Sequence, residues 1–132
     1  MNSNIKTVAA GIIENDCEIL IARRRGDGLV GGLWEFPGGK QEDGETIEEC
    51  LIREIKEEFD LIISTCGIIG ESTYTYAHGS FKLVGIKAKS KSRNIKLSVH
   101  DESAWVKSSE LNNYEFAPAD IPLVKIVVGN IL

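Results

Sequence analysis

Cysteine, proline, long apolar runs and positive charge are all scarce in this chain, and each scarcity removes a class of protein. The three cysteines, Cys17, Cys50 and Cys66, are odd in number and show no Cys-x-x-Cys spacing. Neither a disulfide framework nor a zinc site is suggested, and a reducing cytoplasm is the expected compartment. The three prolines, Pro37, Pro118 and Pro122, fall outside the segments that read as strand interiors. There is no proline-rich linker, repeat or low-complexity tract, so the 132 residues are expected to form one domain, 1–132, with a real core. No apolar run approaches the ~20 residues of a membrane span. The N-terminal MNSNIKTVAAGII lacks the basic start and cleavage site of a signal peptide, and no membrane partner is expected. Lys and Arg number 15 against 20 Asp and Glu, a net charge of −5, which argues against stable nucleic-acid binding.

What is present patterns as a mixture of strands and helices. IKTVAAGIIEN and CEILIARRR read as two strands joined by a turn at Asn15-Asp16. The loop GDGLVGG and a short extended LWEF follow. From Glu45 to about Asp60, apolar Ile47, Leu51, Ile55 and Phe59 recur every four residues, the stripe of an amphipathic helix. CGIIGESTYTY and FKLVGIKAK form an antiparallel pair around AHGS. SAWV is a short strand, SSEL a helical turn, and ADIPLVKIVVGNIL a C-terminal helix. Strands with two separated helices predict an α/β (α+β) fold, a sheet covered on both faces. The basic clusters ARRRG and KAKSKSR read as local patches, the second as a solvated edge.

LWEFPGGKQEDGE (33–45) passes from aromatic bulk through bare backbone to carboxylates. Beyond it, Glu54, Glu57 and Glu58 stand at i, i+3 and i+4, on one helical face. Like charges at that spacing cost roughly 0.2–0.5 kcal/mol per pair in an isolated helix. A solvated glutamate-rich face accounts for them, and so does a hard divalent cation, which takes oxygen ligands. The second reading lets an acidic protein hold polyphosphate, because cations bridge carboxylates to phosphates and offset the charge that develops as a P–O bond breaks.

The register Gly39-x5-Glu45-x7-Arg53-Glu54-Ile55-x-Glu57-Glu58 resembles the box of the Nudix hydrolases, G-x5-E-x7-R-E-U-x-E-E-x-G-U with U aliphatic. The flanks GLWEFPGGK and FAPADIPLV resemble MutT-like nucleoside triphosphate pyrophosphohydrolases, including the branch acting on cytidine nucleotides. Two positions depart from that pattern. Asp60 stands where the box has its last glycine, at a helix end that favours a left-handed backbone. Val99 stands six residues before Trp105, where many relatives carry a further glutamate, with His100, Asp101 and Glu102 alongside.

The resemblance implies a Nudix fold, a mixed sheet sandwiched between helices. It implies Mg²⁺ or Mn²⁺ held by Glu54, Glu57, Glu58 and the Gly38 carbonyl, with Glu54 orienting or deprotonating the attacking water. Arg53 would hold the glutamates and Glu45 would anchor the helix start. Arg24 would bind phosphate, and Lys40 would touch phosphate or remain a surface lysine. Of Trp34 and Phe36, one would pack into the core and the other form the wall of the base pocket. Tyr74 and Tyr76 are stackers or sheet-packing residues. Asp120 would read the base, cap the following helix, or both. The implied reaction is (d)NTP + H₂O → (d)NMP + pyrophosphate, on 8-oxo-dGTP or (d)CTP-like substrates, by a monomer or homodimer. ADP-ribose and dinucleoside polyphosphates are alternative Nudix substrates, and a catalytically silent nucleotide-binding domain is a third reading.

Overall fold

Strand β1 (Lys6–Asn15) is the axis of the sheet in the computed structural model, which describes residues 5–26 and 31–129. Along one edge it runs parallel to β6 (Gly79–Ser90), from Lys6↔Phe81 to Glu14↔Lys89. Along the other it is antiparallel, near its start to β4 (Gly38–Lys40) and near its end to β2 (Glu18–Arg24). Strand β2 in turn pairs with β3 (Trp34–Glu35) and β7 (His100–Val106), and β5 (Ile63–Tyr76) pairs antiparallel with β6. The sheet is mixed, ordered β3-β2-β1-β6-β5, with β4 on β1 and β7 on β2.

Side chains alternate across a strand, and β1 and β2 are apolar on both faces, as a sheet covered on both sides requires. Ala9, Ile13, Leu20 and Ala22 face one core with Leu51, Ile55 and Phe59 of α1 (Ile47–Phe59). Ala10, Ile12, Ile19 and Ile21 face a second core with Leu123, Val124 and Val127 of α2 (Ile121–Gly129). The expected sandwich of a mixed sheet between helices is what the chain forms. No helix among the described residues is long and apolar enough to cross a membrane.

Helix α1 starts two residues later than the periodicity suggests. Thr46 is the N-cap, its hydroxyl accepting the Glu49 N–H at 3.0 Å while Glu49 Oε1 accepts the Thr46 N–H at 2.8 Å, a capping box that satisfies two otherwise orphaned donors. Asp60 ends the helix at φ 53°, left-handed, with its N–H on the Lys56 carbonyl and its carboxylate 2.6 Å from Lys56 Nζ. Asp60 thus takes the left-handed conformation that the glycine of the box would, a region Asp tolerates better than most residues.

Several elements differ from the sequence expectation. GGK is a strand, β4, because Gly38 and Gly39 let the backbone come flush against Ala10 and Ala9. β5 begins at Ile63 rather than Cys66 and carries two irregularities between Thr65 and Gly70, one containing Gly67 at φ 113°. β7 begins at His100 rather than Ser103. The turn after β1 is Asp16-Cys17, both at positive φ, one residue later than Asn15-Asp16. The helical turn expected at SSEL is a 3₁₀ turn that extends over Ser108–Asn113, and a second 3₁₀ turn (Pro118–Asp120) precedes α2, which starts at Ile121. Most of the loop GDGLVGG (27–30) and the last residues of the expected C-terminal helix (130–132) lie outside the described residues.

Phe59, fully buried against His100, and Thr46 test the two ends of α1. Phe59→Ala is expected to lower unfolding free energy by about 3–5 kcal/mol and Thr46→Ala by about 1 kcal/mol, measured by urea denaturation.

Candidate active site

A cleft of about 1140 Å³ opens beside β1. Gly38, Gly39, Lys40, Glu54 and Glu58 form its charged end, Arg24 and Glu35 a second flank, and Phe36, Asp120, Tyr74, Tyr76 and Phe81 an apolar and aromatic region. A smaller concavity of about 520 Å³ lies at the β1–β2 turn. There Arg93 bonds Asn15 and Glu18 and lies over the Trp105 ring, so this part of the basic KAKSKSR cluster and its neighbour is a clamp on the sheet edge.

The box is organised around Arg53. Its Nε and Nη2 grip the two oxygens of Glu45 at 3.0 and 2.7 Å, the bidentate geometry that suits a guanidinium and a carboxylate. Nη1 reaches Glu54 Oε2 at 2.9 Å and Glu57 Oε1 at 3.2 Å, and Nη2 reaches the Lys40 carbonyl at 3.1 Å. One side chain therefore ties the segment after β4 to three acids. Those bonds, with Arg53 first and the Glu42 N–H second, hold the Glu45 carboxyl at about 2, and the Arg53 guanidinium is raised in return. Cys50 lies beneath this group, its thiol pushed up by burial to about 12, and is inert as a nucleophile.

The three glutamates of the helix do not behave alike. Glu54 and Glu58 line the cleft, whereas Glu57 is largely exposed and turned to Arg53. Glu58 Oε1 is buried without a hydrogen-bond partner among the described residues. Burial, followed by the adjacent Glu54, raises the Glu58 carboxyl to about 7. Among the described residues no three acidic, histidine or cysteine side chains are gathered as a ready metal cage. The donor set nevertheless fits a hard divalent cation: two carboxylates pressed together, one with an oxygen that lacks any partner, open to a cleft.

The glycines before the helix are required for different reasons. A Cβ on Gly38 would lie 1.8 Å from the Ala9 carbonyl oxygen, so glycine there serves the β1–β4 contact. A Cβ on Gly39 would lie 2.2 Å from the Glu54 carboxyl carbon, so glycine there makes room for that carboxylate. Lys40 is exposed at the rim.

At the other end, Asp120 is buried and its Oδ1 accepts the Phe36 N–H at 3.1 Å. Burial and then the charge of Glu35 raise its carboxyl to about 8, against the pull of that N–H. The side chain crosses to the β3–β4 segment, so the helix-cap alternative gives way to a bond between two walls of the cleft. Phe36 and Trp34 both pack in the second core, Phe36 against Phe116 and Trp34 edge-on to Tyr114. Phe36 also borders the cleft and Trp34 does not. Tyr74 and Phe81, 5.9 Å apart, pack on that core and line the cleft as well.

The region around Val99 yields no acid to the cleft. Val99 is exposed, and Asp101 and Glu102 pair with Arg23. The acid that lines the cleft on this side is Glu35, in an ion pair with Arg24 and 2.7 Å from His100 Nε2. Its signal in the sequence was one charged residue alternating with two aromatics in LWEF, where period two sends it to the other face.

Carboxylates with an unpartnered oxygen, an arginine on the next strand and a pocket behind them define a site for hydrolysing phosphate anhydrides. The NUDIX domain model matches residues 8–125, and the chain belongs to the Nudix family of hydrolases. It is 31% identical over 118 residues to the CTP pyrophosphohydrolase of Escherichia coli K12, covering 89% of this chain and 87% of that one. It is 43% identical over 63 residues to the 8-oxo-dGTP diphosphatase of Proteus vulgaris, covering 47% of this chain and 56% of that protein. The solution structure of the E. coli ORF135 protein superposes with a TM-score of 0.86 at 29% identity, covering 96% of this chain and 91% of that one.

An acid whose folded pKa is raised keeps a proton that the unfolded chain has released. Metal-free stability should therefore fall as pH rises from 4.5 to about 7 through Glu58 and from 3.8 to about 8 through Asp120. Glu45 works in the opposite sense, its contribution being lost as pH falls from 4.5 to about 2. Urea midpoints across this range, in chelator, are expected to decline toward alkaline pH, less steeply in Glu58→Gln and in Asp120→Asn. Gly38→Ala is expected to lower the midpoint much more than Gly39→Ala, since the first meets backbone and the second a movable side chain.

Proposed function

We propose that the protein is a divalent-cation-dependent nucleoside triphosphate pyrophosphohydrolase, (d)NTP + H₂O → (d)NMP + pyrophosphate, clearing nucleotides of the 8-oxo-dGTP or (d)CTP type. The observation that carries this reading is that one cleft is lined by the Glu54–Glu58 pair, by Arg24, and by the buried Asp120 with Phe36, Tyr74 and Phe81. The names of the CTP- and 8-oxo-dGTP-directed relatives support the same substrate class.

Mg²⁺ or Mn²⁺ held by Glu54, Glu58, Glu57 and the Gly38 carbonyl would supply positive charge to the phosphates and acidify a nearby water. Arg53 keeps Glu54 oriented, and Glu54 takes the proton of the attacking water. The water oxygen bonds to the inner phosphorus as the bond to the bridging oxygen breaks, and the electron pair leaves with pyrophosphate. Arg24 and Lys40 hold the phosphate chain.

Toward the base, Tyr74 and Phe81 offer aromatic surface for stacking. An Asp120 carboxyl that keeps its proton up to about 8 presents a donor as well as an acceptor. That pair complements the adjacent ring nitrogen and exocyclic amine of cytosine, whereas the N1 and N2 donors of guanine call for the ionised, acceptor-only carboxylate.

Pyrophosphate release across canonical and oxidised (d)NTPs, with ADP-ribose and dinucleoside polyphosphates as comparators, tests the reading. Turnover is expected on a (d)CTP-type or oxidised purine triphosphate, falling about a hundredfold or more in Glu58→Gln and less in Glu57→Gln. Preferred cleavage of ADP-ribose or a dinucleoside polyphosphate would replace the substrate, and binding without turnover would point to a silent domain.

A further inference from the structure

The imidazole of His100 is fully enclosed. It stacks on Phe59, with centroids 5.2 Å apart and planes at 25°, and its Nε2 lies 2.7 Å from Glu35 Oε2. Its Nδ1 has no partner among the described residues. A buried ring with an unsatisfied nitrogen is a poor choice for packing alone, since an apolar side chain of similar size fills the space without that penalty.

The placement is built into the sheet. β2 and β7 pair regularly from Ile19↔Val106 to Arg23↔Glu102, and the next pair is Arg24↔His100, with Asp101 skipped. Such a bulge re-aims the side chains around it. Asp101 goes outward to Arg23, at 3.0 Å, and His100 goes inward to Phe59 and Glu35.

Glu35 Oε2 has a second neighbour, Arg24 Nε, at 3.1 Å, an ion pair whose N–H is not aligned for a hydrogen bond. The carboxylate thus faces both side chains and cannot turn away from one without disturbing the other. The contact uses Nε and leaves the terminal nitrogens of Arg24 available to a ligand in the cleft that the residue lines. A lysine could not divide its head group in this way. The series Phe59, His100, Glu35, Arg24 runs from the end of the helix that carries Glu54 and Glu58 to the arginine on β2.

We propose that His100 is a positioning residue: through Glu35 it sets the Arg24 guanidinium to receive the substrate's phosphates, in a fixed relation to the helix carboxylates. This rests on the reading of the cleft as a polyphosphate site.

The test uses the full chain and inorganic pyrophosphate in the presence of magnesium, titrated by calorimetry, with kcat and KM for the best nucleotide as a second readout. His100→Phe keeps a ring on Phe59 and removes the nitrogen; Glu35→Gln keeps the shape and removes the charge. Each is expected to weaken pyrophosphate binding about tenfold, the size of effect seen when an orienting partner is lost, and to raise KM more than it lowers kcat. In the Arg24→Ala background His100→Phe should add nothing, because the two act through one path. His100→Gln, which can still donate to Glu35, should recover part of the binding.

Pyrophosphate affinity unchanged in His100→Phe with only a lowered Tm, effects of His100→Phe and Arg24→Ala that add, or a wild type that does not bind pyrophosphate would each overturn the proposal. If His100→Phe fails to fold by circular dichroism, Glu35→Gln, alone and with Arg24→Ala, decides it in the same terms. Absence of nucleotide hydrolysis with the binding pattern intact would remove the hydrolase substrate reading and leave this one standing. Hydrolysis with additive effects would do the reverse.

Discussion

One guanidinium holds the charged end of this molecule together. Arg53 binds Glu45 through two nitrogens, Glu54 and Glu57 through a third contact point, and the Lys40 carbonyl besides. Without it, Glu54, Glu57 and Glu58 would be three like charges on adjacent turns, mutually repelling. With it, Glu54 and Glu57 are both drawn to Nη1, and Glu58 is left against Glu54 with an oxygen that has no partner among the described residues. The chemistry available at the cleft depends on that unequal division. Exposed ion pairs contribute little singly, but this one is bidentate, partly enclosed and shared among several acids, which is where such pairs become structurally decisive.

The sheet supplies the frame. β1 is apolar on both faces and packs α1 on one side and α2 on the other. The residues of the site come from both layers: the carboxylates from α1, Asp120 from the turn before α2, and Glu35 with Arg24 from strands between them. Asp120 bonding to the Phe36 N–H joins the second layer to the segment that leads into the box. The two ends of the cleft are thus connected through backbone as well as through side chains.

Much of this was readable in advance where the physical signal is local. The α1 stripe, the strands 5–15 and 17–25, the end of the helix at Asp60 and the alternation of Arg23 against Arg24 all follow from periodicity or from the conformational preference of a single residue. Strand β4 was not readable, because two glycines carry no strand propensity and GGK pairs with β1 only through the close approach of bare backbone. Nor was the bulge opposite Arg24, which skips Asp101 and turns His100 inward. Neighbouring residues Val99, Asp101 and Glu102 do not line the cleft, and the acid that does, Glu35, comes from more than sixty positions earlier in the chain.

The sequence by itself determined the family, the helix and the set of acids, because box spacing and helical period place those residues on one element whatever surrounds it. Tertiary structure decided which acids converge. Glu54 and Glu58 line the cleft while Glu57 stays outside it on Arg53, and Asp120 reaches across to Phe36 instead of capping its helix. It also decided that Gly38 serves strand packing and Gly39 the Glu54 carboxylate. The reason is physical: a residue's type and spacing are local properties, but its burial, its partner and hence its charge state depend on chain segments brought together only by folding.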